Sequence, residues 1–400
     1  MLAARGGPRA GVTVDRAAVA TAFTSERHLR RDGEAFESFA PLSGFFRTRD
    51  GWVRTHANYP HHAERLLAVL GLRPGADRAA VAGRLATRSS LSFEADATTA
   101  GALAVAMRTP DEWAASDAGR AVAGEPLVRV TDSGEARRPL RVLPEPGAGP
   151  AAGLRVLDLT RVIAGPVATR TLAYLGADVL RVDPPGLPEL VPQHLDTGLG
   201  KRSTLLDLTD RADRARFDTL LADADVLVTG YRSDAMHALG LDAGTVRATH
   251  PDLVVASLTA WGDSGPWRGR RGFDSLVQVA TGVAVVTGSA DDPGVLPAQA
   301  LDHATGYLLA AAILEALTRR ASGGGGSAIA ASLARTASWL LSRPRPASGG
   351  RTPDPGPWLA DLPSPYGTIR HAVPPFRLDA QPHDWVSGPV GWGTSPPRWL

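Results

Sequence analysis

Cysteine is absent from the 400 residues of this chain, which excludes disulfide bonds, thiolate metal sites and a cysteine nucleophile. Long apolar runs are also missing. The longest, residues 307–317, is shorter than the roughly 18 residues of a membrane helix and contains Glu315. The first residues lack the apolar core of a signal peptide. These absences predict a soluble, cytoplasmic protein.

Several signatures of enzyme and metal sites are missing as well. The first predicted strand is not followed by a Gly-x-Gly-x-x-Gly fingerprint, and the chain lacks a P-loop lysine motif and a Gly-x-Ser-x-Gly elbow. This disfavours a dinucleotide-dependent oxidoreductase, a nucleotide triphosphatase and a serine hydrolase. His56, His61 and His62 fit no standard zinc spacing, so we expect no metal site there. A net charge of only +2 gives little support for nucleic-acid binding.

Composition divides the chain into segments. The first contains a predicted hairpin at 45–56 with an Asp50-Gly51 turn, helices that include one over 93–107, and a strand at 127–130. Pro- and Gly-rich stretches indicate linkers. The predicted division is a small α+β domain at 1–142, a linker at 143–152, a large domain at 153–342, a second linker at 343–365, and a C-terminal tail at 366–400 that returns to the large domain.

Strands alternate with helices along the large domain, a pattern that predicts an α/β fold with a doubly wound parallel sheet. The predicted strands are 154–159, 178–182, 203–206, 226–228 and 253–258. Ligands bind such sheets beyond the carboxyl ends of the strands. The residues expected to form the site are therefore 160–166, 183–186, 230–232 and 259–265.

Asp274 stands out because it follows Phe273 and begins an otherwise neutral segment with an apolar side at helical spacing. The spacing predicts a short helix that starts here. A carboxylate at this position is either an ordinary helix cap or a reactive group. From the residues alone the cap is the better interpretation.

Two other polar pairs have both structural and functional interpretations. Lys201 and Arg202 stand just before a predicted strand, where they form either a solvated turn or a clamp for phosphates. Asp302 and His303 form either an acid–base pair or, more simply, the start of a long helix over 303–320 that Asp302 caps.

Two stretches of the large domain have the character of family signatures: residues 153–185, GLRVLDLTRVIAGPVATRTLAYLGADVLRVDPP, and residues 200–208, GKRSTLLDL. The first closely resembles the opening signature of the family III CoA-transferases, the CaiB/BaiF family, and the second is similar to that family's second signature. Residues 226–240, 251–266 and 272–282 follow in family order. The resemblance covers about residues 152–342 and implies a Rossmann-like, CoA-binding large domain.

The resemblance implies that Asp274 is the nucleophile, within an aromatic-Asp-x-x-x-Gln segment that also contains Gln278 and Gly282. The carboxylate attacks an acyl-CoA, and CoA passes to an acceptor acid through anhydride and aspartyl-CoA intermediates. CoA is then a substrate, and no tightly bound cofactor is expected. The Gly-rich segment 322–327 is a candidate oxyanion loop, although a plain connector is the simpler interpretation. The residues expected to contact CoA are Val162, Ala164, Gly165, Lys201, Arg202 and Arg232.

Two alternatives accompany this hypothesis. Racemases of the same superfamily resemble this chain but carry His before the motif acid, where this chain has Phe273, while Asp302 matches their second acid. A non-catalytic CoA-binding protein or assembly subunit is the other, because a segment similar to the family's small domain precedes the large-domain signature here. The resemblance also implies a homodimer, with acyl-CoA and a carboxylic acid as the substrates.

Overall fold

The computed structural model describes residues 1–37, 39–132, 134, 136–344, 353–379 and 381–400. The strands in these ranges are β1 Val12–Val14, β2 Arg30–Arg31, β3 Glu34–Ala35, β4 Gly44–Arg47, β5 Trp52–Thr55, β6 Ala104–Ala106, β7 Val128–Asp132, β8 Arg155–Leu159, β9 Asp178–Asp183, β10 Arg202–Leu205, β11 Val226–Thr229, β12 Val254–Thr259, β13 Ser327–Ser332, β14 Leu359–Ser364, β15 Gly367–Ala372 and β16 Phe376–Leu378.

The α-helices in the same ranges are α1 Arg16–Phe23, α2 Ser25–His28, α3 Pro60–Val69, α4 Arg78–Ala86, α5 Ser90–Thr99, α6 Pro110–Ala115, α7 Asp117–Ala123, α8 Ala164–Tyr174, α9 Val191–Thr197, α10 Arg211–Ala222, α11 Ser233–Ala238, α12 Ala243–Thr249, α13 Asp274–Ala280, α14 Val283–Thr287, α15 Ala300–Ala321 and α16 Leu333–Leu341. Short 3₁₀ turns occupy Ala3–Arg5 and Gly356–Trp358.

A seven-stranded sheet in the order β10-β9-β8-β11-β12-β13-β7 organises the large domain. The first six strands are parallel, which confirms the predicted α/β fold with a parallel sheet. β7 lies antiparallel to β13 at the edge, although the sequence placed it in the N-terminal domain. β13 was not predicted, because SAIAAS holds a single β-branched residue, Ile329, and gives little strand signal.

The two faces of this sheet pack against different helices because successive side chains of a strand point in opposite directions. In β11, Val226 and Val228 join a core with Leu309 and Ile313 of α15. Leu227, between them, joins a second core with residues of α10 and α12. The sheet is therefore covered on both sides, as the doubly wound prediction requires.

The long helix α15 lies directly against α8. A Cβ on Gly306 would come within 2.5 Å of the Ala164 carbonyl oxygen, so only glycine permits this approach. By length and composition alone α15 could cross a membrane, but most of it is buried inside the fold. The close packing brings the start of α15 beside the loop that follows β8.

The N-terminal region forms its own small sheet, β4-β5-β6, with a core shared by α3, α4 and α5. The predicted hairpin at 45–56 is confirmed by antiparallel pairing of β4 with β5. The helix predicted over 93–107 is wrong in its second half. α5 ends at Thr99, and Ala104–Ala106 pair with β5 instead, because they complete the edge of the hairpin.

The C-terminal segment pairs with the N-terminal one: β16 lies against β1, and β15 lies against β2. The tail also reaches the large sheet, where the Ser395 amide donates to the Ser203 carbonyl oxygen over 2.7 Å. The predicted linker at 343–365 lies partly outside the described residues, which exclude 345–352.

Candidate active site

Asp274 is the first residue of α13, after Phe273 in extended conformation, and its side chain is almost fully buried. The Asp302 amide at the start of α15 donates to Asp274 Oδ2 over 2.9 Å. Gln278, one turn further along α13, donates its amide to Asp274 Oδ1. The carboxylate thus accepts hydrogen bonds from the positive end of a second, 22-residue helix.

Burial raises the pKa of Asp274 to about 6, against the lowering effect of hydrogen bonds from the Asp302 amide, Gln278 and the Leu301 amide. At neutral pH the group is therefore mainly ionised, but at a cost in desolvation. A buried, ionised carboxylate that forms no ion pair with a cation in the described ranges can act as a nucleophile.

Two cavities meet beside this carboxylate. The first, which we call the arginine-lined cavity, has a volume of about 360 Å³ and is lined by Arg161, Arg232, Arg270 and Arg271 among others. The second, the Asp274 cavity, has a volume of about 490 Å³. Both are lined by Val162, Phe273 and Asp302. A ligand that fills the first can reach Asp274 only past these three residues.

The parallel sheet brings the arginine-lined cavity together. Its lining includes residues that follow β8, β9, β11, β12 and β13, at the carboxyl ends of the strands. Three of the four predicted loop ranges contribute to it, through Arg161, Gly230 and Ala260 among others, whereas after β9 the cavity is lined by Leu187, just beyond the predicted 183–186.

Two of the arginines in the arginine-lined cavity are matched by carboxylates, Arg161 by Glu189 and Arg270 by Glu94, and the other two are not. Within the described ranges, the guanidinium groups of Arg232 and Arg271 make no ion pair with an acid. Burial, then the charges of Arg232 and Arg65, lower the pKa of Arg271. Like charges held together without partners are stabilised when an anion binds, so this cluster is suited to phosphate groups.

Val162, between the two cavities, has a φ of 69°, a conformation that β-branched residues rarely adopt. Its amide donates to Glu189 Oε2 over 3.1 Å. The Glu189 carboxylate also accepts hydrogen bonds from Arg181 and from the Tyr59 hydroxyl. These bonds fix the loop in spite of its strain, which is typical of backbone that contacts a ligand.

Residues of the N-terminal domain pack against Phe273, the neighbour of Asp274. The His56 ring stacks on Phe273, with centroids 3.6 Å apart and planes 9° from parallel. His62 and Tyr59 contact the same phenylalanine ring. Burial, then the charges of His62 and Arg54, lower the pKa of His56 to about 3, so its ring is neutral. No sequence pattern predicts these contacts, because they join segments that lie far apart along the chain.

Asp302 and His303 point to different places, so the structure does not form the pair considered from the sequence. Asp302 lines both cavities, whereas the His303 Nε2 lies 3.3 Å from Glu26 Oε2, and its ring packs on Phe23. Burial, then the charges of Asp274 and Glu26, raise the pKa of Asp302 well above its usual value. Asp302 therefore carries a proton while Asp274 is ionised.

Lys201 and Arg202 do not lie at either cavity, which corrects the expected phosphate clamp. Lys201, the only lysine of the sequence, is buried, and its Nζ binds Asp158 Oδ2 at 2.9 Å and the Pro166 carbonyl oxygen. Arg202 pairs with Asp178 at 2.7 Å. The physical reason is topological: both residues stand at the amino end of β10, whereas the cavities lie beyond the carboxyl ends.

The expected glycines have packing roles. A Cβ on Gly165 would come within 2.4 Å of the Thr160 side chain, so this glycine allows α8 to begin close to β8. Gly282 has a φ of 89°, and a Cβ there would meet the backbone at Pro110. The Gly-rich segment 322–327 precedes β13 and is thus at the wrong end of the sheet for an oxyanion loop.

Of the other expected CoA contacts, Val162, Ala164 and Arg232 line the arginine-lined cavity.

Comparisons with known proteins agree with the motifs. Residues 152–367 match the model of CoA-transferase family III. A protein of Mycobacterium tuberculosis named as a probable fatty acyl-CoA transferase is 35% identical over 187 residues, which are 43% of this chain and 48% of that protein. A mouse succinyl-CoA:glutarate CoA-transferase is 33% identical over 184 residues, 43% of this chain and 42% of that one.

Among solved structures, a crystal structure of a hypothetical protein from Mycobacterium tuberculosis is 34% identical, with a TM-score of 0.46, and the match covers 49% of this chain and 57% of that one. The chain spans about half the length of the curated relatives named above. The family model, in contrast, matches more than half of the chain. This chain therefore belongs to CoA-transferase family III.

Proposed function

We propose that this protein transfers CoA from an acyl-CoA to a carboxylic acid, with Asp274 as the nucleophile. The observation that carries the proposal is the Asp274 carboxylate itself: buried, ionised at neutral pH, and open to a cavity that adjoins a second, cationic one. Relatives named for CoA transfer between acids support the same reaction class.

CoA would lie in the arginine-lined cavity, with its phosphates at Arg232 and Arg271 and its pantetheine arm passing Val162 and Ala164. The thioester would then meet Asp274 at the junction of the cavities. This arrangement replaces Lys201, which is already bound to Asp158, with cations that have no acidic partner in the described ranges.

In the first step, an Asp274 oxygen bonds to the thioester carbon, and the carbon–sulfur bond breaks to give a mixed anhydride and CoA. The CoA sulfur then attacks the aspartyl carbonyl carbon, which releases the donor acid and leaves an aspartyl-CoA thioester. The acceptor carboxylate repeats these steps in reverse and leaves as its CoA ester. Splitting one acyl transfer into several steps is the advantage of covalent catalysis.

The proposal is tested by incubating the protein with acetyl-, succinyl- and octanoyl-CoA, quenching with hydroxylamine and locating the mass change. We expect a hydroxamate at Asp274 in the wild type and none in Asp274→Ala, with CoA binding kept in both. Transfer by Asp274→Ala at the wild-type rate would refute the nucleophile. CoA binding without labelling or turnover on this panel would favour the non-catalytic alternative.

A paired comparison tests the CoA site. Arg232→Ala and Arg271→Ala are expected to raise the Kd for CoA by about tenfold each, because each removes a charge-assisted hydrogen bond to phosphate worth roughly 1.5 kcal/mol. Arg202→Ala is the control and should leave the Kd unchanged. A raised Kd for Arg202→Ala alone would indicate that the CoA phosphates bind at the Lys201–Arg202 segment instead.

We also propose acyl-CoA and a carboxylic acid as the substrate classes, a homodimer as the assembly and the cytoplasm as the location. Light scattering of the purified protein tests the assembly, since a monomer mass at micromolar concentration would exclude the dimer.

A further inference from the structure

Asp302 is a buried residue that lines both cavities, and within the described ranges its carboxyl group has no hydrogen-bonding partner. Its backbone amide serves Asp274, but no residue in the described ranges donates to its side chain. Other buried acids of the molecule behave differently: Asp158 binds Lys201, and Glu189 binds Arg181. A buried acid left without a cation or donor is costly unless it holds a proton. Its two oxygens therefore face the cavities as a carboxylic acid.

The charges around Asp302 agree with that state. Asp274 on α13 and Glu26 on α2 are the acids that act on it, and both oppose its ionisation. His303 lies against Glu26, and Arg54 on β5 acts on Asp274. Arg232 and Arg271 line the arginine-lined cavity with Asp302, but neither forms an ion pair with it. The neutral His56 adds no charge. Ionisation of one of these two buried acids opposes ionisation of the other, and the hydrogen bonds to Asp274 favour the state in which Asp274 is the anion.

The position of Asp302 would allow its proton to take part in the reaction. Asp302 is one of three residues that line both cavities, and the other two, Val162 and Phe273, have no titratable side chain. Under the proposed function, the CoA sulfur leaves and returns at this junction. If no proton is supplied, the sulfur leaves as a thiolate, and the negative charge of Asp274 moves onto the sulfur at this junction.

We propose that Asp302 is the general acid and base of the transfer, giving its proton to the CoA sulfur and taking it back. This inference rests on the proposed function. As the Asp274 oxygen bonds to the acyl carbon, the electron pair of the carbon–sulfur bond moves to sulfur, and sulfur takes the Asp302 proton. When the thiol attacks the aspartyl carbonyl carbon, Asp302 recovers the proton and the donor acid leaves as a carboxylate.

Charge is balanced along this route. Before the first step Asp274 is the anion and Asp302 is neutral; after it, the anhydride is neutral and Asp302 is the anion. In the second step Asp302 becomes neutral again, and the negative charge departs with the donor carboxylate. The buried pair therefore never has to hold two negative charges at once.

The test is a rapid-quench measurement of acyl-Asp274 formation between about pH 5 and 9.5, with the acyl-CoA that labels the wild type. Asp302→Asn, which has no proton to give, is expected to slow this step by about 100-fold or more. It should also lose the fall in rate at high pH that ionisation of Asp302 causes in the wild type. Asp302→Glu should regain at least about tenfold and keep the fall. Glu315→Gln, an exposed acid on the same helix, is the control.

Two results would overturn the inference: an Asp302→Asn variant as fast as the wild type, or a slow variant that keeps the same fall at high pH, which would indicate a merely structural role. Thermal unfolding and CoA calorimetry show whether each variant is folded, and Asp302→Glu keeps the test valid if the Asn variant is not. Absence of acyl-Asp274 in the wild type would instead refute the proposed function itself.

Discussion

Replacing Asp274 with Asn is expected to change how folding stability depends on pH. The folded-state pKa of Asp274 is about 6, raised from 3.8 by burial. A folded protein that holds this proton more tightly than the unfolded chain loses stability as pH rises from below 3.8 through about 6. The ionised carboxylate therefore destabilises the wild type at neutral pH, and Asp274→Asn removes that contribution.

The magnitude follows from the shift. About two pKa units correspond to about 3 kcal/mol in total, of which about 2 kcal/mol falls between about pH 4.5 and 7.5. The side-chain amide that Asp274→Asn introduces is not a perfect replacement, since its nitrogen would face donors that now bind a carboxylate, but this penalty is the same at every pH. The test therefore follows the difference in free energy of unfolding between variant and wild type, and asks how that difference changes with pH.

Urea unfolding of both proteins at several pH values between about 4.5 and 7.5 measures that difference. We expect the free energy of unfolding of the variant, relative to that of the wild type, to rise by about 2 kcal/mol across this range. A difference that stays constant with pH would refute the reasoning, because it would mean that Asp274 has an ordinary pKa and is solvated. A gain in the opposite direction would mean that its hydrogen bonds outweigh its burial.

Two further predictions concern residues around the site. Lys201→Met should lower the free energy of unfolding by about 3–5 kcal/mol, since it leaves Asp158 buried without its cation; urea unfolding measures this, and Arg202→Met, at a more exposed pair, should cost less. Gln278→Ala should lower kcat by about tenfold or more while CoA binding is kept, because it removes a hydrogen bond worth roughly 1.5 kcal/mol or more to a charged group; an unchanged kcat would show that the Asp302 amide alone positions Asp274.

Local sequence patterns and motifs were enough to predict much of this fold. The alternation of strands and helices predicted the parallel sheet, because the pattern of each strand and each helix lies within a short segment. The resemblance to family III singled out Asp274, and the structure places it where two cavities meet. The sequence also predicted that loops after the strands line a cavity, because carboxyl ends of parallel strands share one edge.

Only the tertiary structure decided which charged groups are free. Lys201 and Arg202 have the composition of a phosphate clamp, but in the fold Lys201 pairs with Asp158 and Arg202 pairs with Asp178. Ion pairing depends on which segments the fold brings together, and no local pattern records that. In the arginine-lined cavity, the cations without acidic partners come instead from separate loops, at Arg232 and Arg271.

The same reason explains the roles of Asp302 and His56. By sequence Asp302 was a helix cap or half of an acid–base pair, whereas burial, then the charge of Asp274, raises its pKa in the folded chain. His56 reaches Phe273 from a domain that lies far before it in the chain. Protonation and stacking at a buried site are set by neighbours in space, so the sequence determined the sheet and singled out Asp274, whereas the folded chain determined which groups surround it.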